Sequence, residues 1–251
     1  MNTKRLIVML IALVALSATA SATVIICQPP YCEAPTNVLF NLSGNGGYGS
    51  YGNTRTFINE GLTLTVTSFG LTGNSATTFQ TAATGQWSGG LGVSDQIEGF
   101  SASSYKHTVD NNGYYNFVLF QFDKPVDPLS LSLTQFNGDS DVSYWTGNLT
   151  GSLIGQTLAG LPGLGLGSMY TNTAGGSRTF SLTSPTVNAL LVAAKIGNNN
   201  DYFKIEDICV DYIRTPPPPP GEIPEPSTYA TMGGALLGIG VFIARRRKQQ
   251  A

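Results

Sequence analysis

From Leu62 to Thr67 the chain reads LTLTVT, with every second position apolar. A period of two is the signature of a strand with one buried face, here carrying Leu62, Leu64 and Val66. LSLSLT (129–134) repeats the alternation with Leu129, Leu131 and Leu133. FVLFQF (117–122) is almost continuously apolar, which predicts a central strand covered on both faces, and NALLVAAKI (188–196) reads as another buried strand. Asn112-Gly113 lies between YKHTV and YYNFVLFQF, and Asn-Gly between two strand patterns predicts a hairpin. In FKIEDICVDYI (203–213) the apolar parity changes, from Phe203 and Ile205 to Ile208, Val210 and Tyr212; a bulge near Glu206-Asp207 would reconcile the two. No stretch of residues 23–214 sustains a helical period. Many short strands punctuated by Gly, Asn and Ser predict an all-β body, a single β-sandwich of jelly-roll type.

The two ends are patterned differently. Lys4 and Arg5 precede an unbroken apolar run from Leu6 to Leu16, followed by Ala20-Ser21-Ala22. These are the charged region, apolar region and small-residue cleavage site of a secretory signal, so the mature chain is expected to start at Thr23. At the other end Ser227–Ala244 carries no charge, and its 18 residues, as a helix, would reach about 27 Å, enough for a hydrocarbon core. Arg245, Arg246, Arg247 and Lys248 then act as a stop that stays cytoplasmic, which places the body outside. Gly234 and Gly238 form a G-x-x-x-G, read either as a helix-pairing face or as small residues in a minimal helix. Five prolines, 216–220, make a stiff extended spacer. The expected organisation is a signal peptide (1–22), a β-sandwich (23–214), a Pro-rich stalk (215–226), a transmembrane helix (227–244) and a basic tail (245–251).

Pro224-Glu225-Pro226-Ser227, a short apolar helix and a terminal Arg cluster, in that order, resemble the PEP-CTERM sorting signal over roughly the last 28 residues. The resemblance implies that a membrane-embedded exosortase recognises and cuts the tail and releases the body to the cell exterior. It also implies a Gram-negative bacterium that makes exopolysaccharide, and passage through an inner-membrane intermediate. Proline lacks an N–H and restricts its neighbour, so the Pro-Glu-Pro segment is extended and poor in hydrogen bonds, as a peptide entering a peptidase cleft should be. GLGV (90–93), VDNNG (109–113), FVLFQFDKPV (117–126) and GDSDVSYW (138–145) resemble, more loosely, the β-sandwich that such proteins carry; that likeness implies no activity.

Charge changes the picture once the tails are set aside. Residues 23–226 hold 7 basic and 15 acidic residues, a formal net of −8. A nucleic-acid binder would need a basic face, and anionic lipid would repel this body.

Few motifs carry chemistry. GNGGYG (44–49) fits G-x-G-x-x-G, but SYGNTRTF follows it instead of the helix a dinucleotide site requires, so it reads as a loop. His107 is the only histidine, and there is no G-x-S-x-G; it reads as a surface residue and no catalytic residue is nominated. The reading is therefore of a protein that is not an enzyme. Asn and Asp gather in three loops, 110–112, 137–141 and 198–201. No cofactor is called for; the one candidate is a structural Ca²⁺ on Asp110, Asn137, Asp139 and Asp141, since oxygen ligands in loops suit that ion. The same residues favour turns without any metal. Of Cys27, Cys32 and Cys209, two are expected to pair in an oxidising compartment, by either Cys27–Cys32 or a bridge to Cys209. The leading function is a non-enzymatic cell-surface or extracellular-matrix protein. The alternative is a carbohydrate-binding module for the cell's own polysaccharide, with Trp87 and Trp145 stacking on sugar rings; an unrecognised hydrolase is the third.

Overall fold

The computed structural model describes residues 36–71, 77–99 and 107–212. The signal segment, the stalk, the apolar tail segment and the basic cluster lie outside the described residues. The strands are β1 (Thr36–Asn41), β2 (Thr54–Asn59), β3 (Leu62–Leu71), β4 (Phe79–Thr81), β5 (Ala83–Trp87), β6 (Gly90–Ser94), β7 (Val109–Asp110), β8 (Asn116–Gly138), β9 (Val142–Gly147), β10 (Tyr170–Asn172), β11 (Arg178–Ser181), β12 (Val187–Ala194) and β13 (Asp201–Tyr212). A 3₁₀ helix, Leu158–Leu164, lies in the connection between β9 and β10. Among the described residues the fold is all-β, every strand pairing is antiparallel, and no helix is long and apolar enough to cross a membrane.

β8 organises the body. Its first part runs between β3 and β12, giving the order β10-β9-β12-β8-β3, with β2 and β4 on the far edge of β3. Its second part runs between β11 and β13, with β1, β6 and β7 on the far edge of β13 and β5 beyond β6. The sequence pattern predicts separate strands at 117–122 and 129–134; they are one strand of 23 residues. Two prolines disguised the continuity. Pro125 has no cross-strand partner in either set of pairings, and Pro128 sits beside a register shift, so neither missing N–H breaks a regular ladder.

The inward faces of the two halves share one core. Leu62, Leu64, Val66, Val118, Phe120, Leu190 and Val192 from the first meet Val38, Phe40, Leu131, Leu133, Phe203, Ile205, Ile208 and Val210 from the second. Each such side chain contributes about 1.5–3 kcal/mol when fully buried. A second cluster covers the outer face of the first half, where Phe69, Phe117, Leu119, Trp145 and Leu191 pack under Leu153, Leu161 and Leu166. Burial on both faces is why residues 117–120 and 189–194 read as continuous apolar runs.

The parity change in β13 is a bulge. Ile205 faces Leu133 and Asp207 faces Ser132, so Glu206 is the extra, exposed residue. The Asn112-Gly113 hairpin does not form. Gly113 makes its turn at φ +98°, but β7 pairs with β13, through Val109–Phe203 and Asp110–Tyr202, and not with β8. Val109 is fully buried in the core, and Asn111 hydrogen-bonds to Asp201 on β13, so tertiary contacts override the local turn preference.

Candidate functional site

On the β5–β6 hairpin, Trp87 pairs with Gly90 and Gly85 with Gly92. The indole lies over the bare backbone of this ladder. A Cβ on Gly85 would come 1.9 Å from the ring, and one on Gly92 would come 2.0 Å from the His107 carbonyl oxygen. Glycine at 85 is what lets the ring lie down there, and glycine at 92 is what lets the His107 backbone come close. Tyr48 meets Trp87 edge-on at 5.0 Å, the His107 ring stands 4.7 Å away, and Phe136 packs against His107 at 5.9 Å. Lys204, on β13, places Nζ 4.8 Å from the Trp87 ring centre and 5.4 Å from that of Phe136. Lys204 is buried, and burial pushes its pKa down. Phe136 is 41 % exposed. Trp87 was nominated from sequence; Tyr48, His107, Phe136 and Lys204 come from four other stretches and carried no shared signal. His107, expected at the surface, is half-buried in this aromatic group.

Trp145, the other stacking candidate, is 5 % exposed and packs 6.1 Å from Phe117 in the second core. Its ring is closed to a sugar, which corrects that expectation: an aromatic residue in a strand was core. A groove of about 260 Å³ lies on the same side of the sheet, lined by Thr67, Gln121, Leu153 and Ile154 among others.

The three Asn/Asp loops converge. One carboxylate oxygen each from Asp139, Asp141 and Asp201 lies within 4.8 Å of the others, a spacing that a Ca²⁺ ion with ligands at about 2.3–2.6 Å could span. The counter-charges are already protein groups. Lys195 Nζ bonds Asp141 Oδ2 at 3.0 Å, and the Arg178 guanidinium, bonded to Ser140 and Asn172, feels all three carboxylates. Asn111 ties the junction together, donating to Asp201 Oδ2 and the Lys195 carbonyl and accepting from the Asp201 N–H. Burial raises the Asp201 pKa, against the lowering effect of the Asn111 bond. Asn137 is exposed at the end of β8, opposite Tyr202. Asp110 stands apart, accepting from the Asn112 N–H and the Thr108 hydroxyl. Burial, then Glu98, holds its carboxyl well above the ordinary range. Of the three carboxylates proposed from sequence, then, Asp139 and Asp141 come together and Asp201 joins them, while Asp110 is not in the group.

Cys209 is half-buried and unbridged. Burial, with Asp207 and Asp211 beside it, pushes its thiol pKa up, away from thiolate chemistry. Cys27 and Cys32 lie outside the described residues, as do Ala20, Ala22, Pro224, Glu225, Pro226 and the Arg245–Lys248 cluster.

Residues 222–248 match the family model for the PEP-CTERM protein-sorting motif. Among curated proteins nothing matches the chain. The chain therefore carries a PEP-CTERM sorting signal at its C-terminal end, which marks an exported protein directed to an exosortase, a membrane protein.

Proposed function

We propose that this chain is a non-enzymatic, jelly-roll β-sandwich protein of the cell surface or extracellular matrix of a Gram-negative, exopolysaccharide-producing bacterium. The observation that carries the reading is the sorting motif at 222–248. The signal peptide starts export, the apolar segment and basic stop hold an inner-membrane intermediate, and cleavage near Pro226 frees the body. Replacing Pro224, Glu225 and Pro226 together by Ala leaves the helix and stop unchanged, so translocation still halts. It removes the extended peptide and its carboxylate, and lets helix extend past Ser227. Fractionation with antibody against the body should find the variant in the inner membrane. Release to the exterior at the normal rate would mean that Pro-Glu-Pro is only a stalk.

A second reading, a module that binds the cell's own polysaccharide, is favoured by one observation. Trp87 and the exposed Phe136 belong to one aromatic group on the body, with Lys204 between them. Aromatic faces suit the C–H faces of sugar rings. A pull-down on the native exopolysaccharide, with Trp87→Ala and Phe136→Ala as controls, tests it.

A further inference from the structure

Five basic side chains fall among the described residues, and four are held by oxygen. Arg55 donates to the carbonyls of Gly46 and Gly47, Lys124 to the Gly61 carbonyl and Tyr212 hydroxyl, Arg178 to Ser140 and Asn172, and Lys195 to Asp141. Lys204 is different. Among the described residues its Nζ has two aromatic rings as neighbours and no oxygen partner.

An ammonium taken out of water without an anion is costly, and ring faces offset only part of that cost. Lys204 as a whole is 7 % exposed, but its Nζ is not among the fully buried side-chain atoms that lack a partner, so the covered part is the stem and the ammonium meets solvent at the edge of the rings. A counter-anion would be easy to recruit in a body with a net charge of −8. Glu206, two residues along, is the bulged residue, and its carboxylate accepts from the Thr134 hydroxyl instead. Lys204 is thus kept from the protein's own carboxylates while its neighbour Phe136 stays open to solvent.

We propose that Lys204 is the anion-binding centre of a subsite for a carboxylated sugar. The carboxylate of a uronate unit pairs with Nζ, the C–H face of its ring stacks on Phe136, and Trp87 on its glycine floor fixes the lysine between the rings. The ligand class is an acidic polysaccharide. This rests on the carbohydrate-binding reading above and goes further by stating the charge of the sugar.

The test uses the full-length chain in detergent micelles, at about 0.15 M salt so that the body's own negative field is screened beyond ~8 Å. Binding is measured by calorimetry to polygalacturonate, to its fully methyl-esterified form, to dextran and to sodium acetate. Polygalacturonate should bind, and esterification should weaken it at least about tenfold, the equivalent of about 1.4 kcal/mol. Lys204→Met and Phe136→Ala should each lose about as much. Lys204→Met should melt at about the same temperature as wild type, because it keeps the apolar stem against the rings and removes a charge that no protein carboxylate pairs with. If dextran and the ester bind as well as polygalacturonate and Lys204→Met changes nothing, glycan binding stands and the acidic subsite falls. If no polymer binds, both fall. If acetate alone binds as tightly as the polymer, the site takes free anions and the polysaccharide class is wrong. If Lys204→Met melts several degrees lower with binding unchanged, the lysine only packs the aromatic group, and the proposal is overturned.

Discussion

Asn111→Ala should be among the most damaging single changes in the body. Asn111 is fully buried and makes three hydrogen bonds that join β7's end to β13 and to the Lys195 turn: to Asp201 Oδ2 at 2.5 Å, from the Asp201 N–H at 3.0 Å, and to the Lys195 carbonyl at 3.1 Å. A bond to a carboxylate contributes about 2 kcal/mol and each of the others about 1, so the loss is about 4 kcal/mol, with the abandoned partners unsatisfied as well. That is a large part of the roughly 5–15 kcal/mol that holds a domain together. Guanidinium unfolding of the exported protein, followed by tryptophan fluorescence, should show the midpoint falling by about 1 M at unchanged slope, taking a slope of about 4 kcal/mol per M. The pH dependence has a definite sign. Burial raises the folded pKa of Asp201, and the Asn111 donor lowers it. Without Asn111 it rises further. A raised folded pKa gives stability that is full below the unfolded carboxylate range, about pH 4, and is lost as pH rises through the folded value. The variant's deficit should therefore be larger at pH 7 than at pH 4. Asn199→Ala, on an exposed residue of the same region, should stay within about 0.5 kcal/mol. A deficit for Asn111→Ala below about 1 kcal/mol at pH 7, or one that grows on acidification, would refute the reasoning.

Three further outcomes are expected. Trp145→Ala should cost about 3–5 kcal/mol in thermal melts, as a buried aromatic leaving a cavity in the second core does; a variant as stable as wild type would contradict its burial. Peptide mapping without reductant should find Cys209 as a free, slowly alkylated thiol, leaving Cys27–Cys32 as the single disulfide; a bridge to Cys209 would overturn this. Millimolar Ca²⁺, compared with chelator, should move the melting temperature by less than about 1 °C, because Lys195 and Arg178 already balance Asp139, Asp141 and Asp201; a rise of several degrees would mean that the ion displaces them.

What could be read from the chain follows the range of the physics involved. Alternation at 62–67 and the parity change at 206–207 are local consequences of the pleat, and both were legible. The double burial of 117–120 was legible too, but its cause was not: the cover comes from Leu153, Leu161 and Leu166, in a connection with no periodic pattern of its own. The continuity of β8 was hidden because Pro125 and Pro128 usually punctuate strands. The Asn112-Gly113 hairpin failed because three hydrogen bonds from Asn111, two with β13's Asp201 and one to the Lys195 carbonyl, outcompeted a two-residue rule. The acidic loops announced themselves by composition, yet nothing local places Lys195 and Arg178 against them. Trp87 was visible as a lone aromatic, whereas its meaning depends on Lys204 and Phe136. The sorting signal is the opposite case. It is recognised as a linear segment, so residue order alone suffices.

The position of β13 links that linear signal to the fold. β13 pairs with β1, β6, β7 and β8, and it buries Phe203, Ile205, Ile208 and Val210 completely. It is also the last described strand, ending at Tyr212, ten residues before the sorting motif begins at 222. A strand that pairs with four others therefore emerges last, and the core cannot close until it has crossed the membrane. Those four side chains alone represent roughly 6–12 kcal/mol of burial, comparable with the whole stability of a domain. A chain stopped after Asn200 would also leave the ladders of β1 and the second part of β8 open, as unpaired edges prone to aggregation. A chain stopped after Arg214 keeps all of β13 and loses only residues 215–251. Expressed with the same signal, the longer version should accumulate as a protease-resistant body in the periplasm, and the shorter one should be degraded or aggregate. The longer version unfolding like the shorter one would mean that the tail contributes to the body's stability. Protease resistance of the chain ending at Asn200 would show that β13 is not the strand that completes the core.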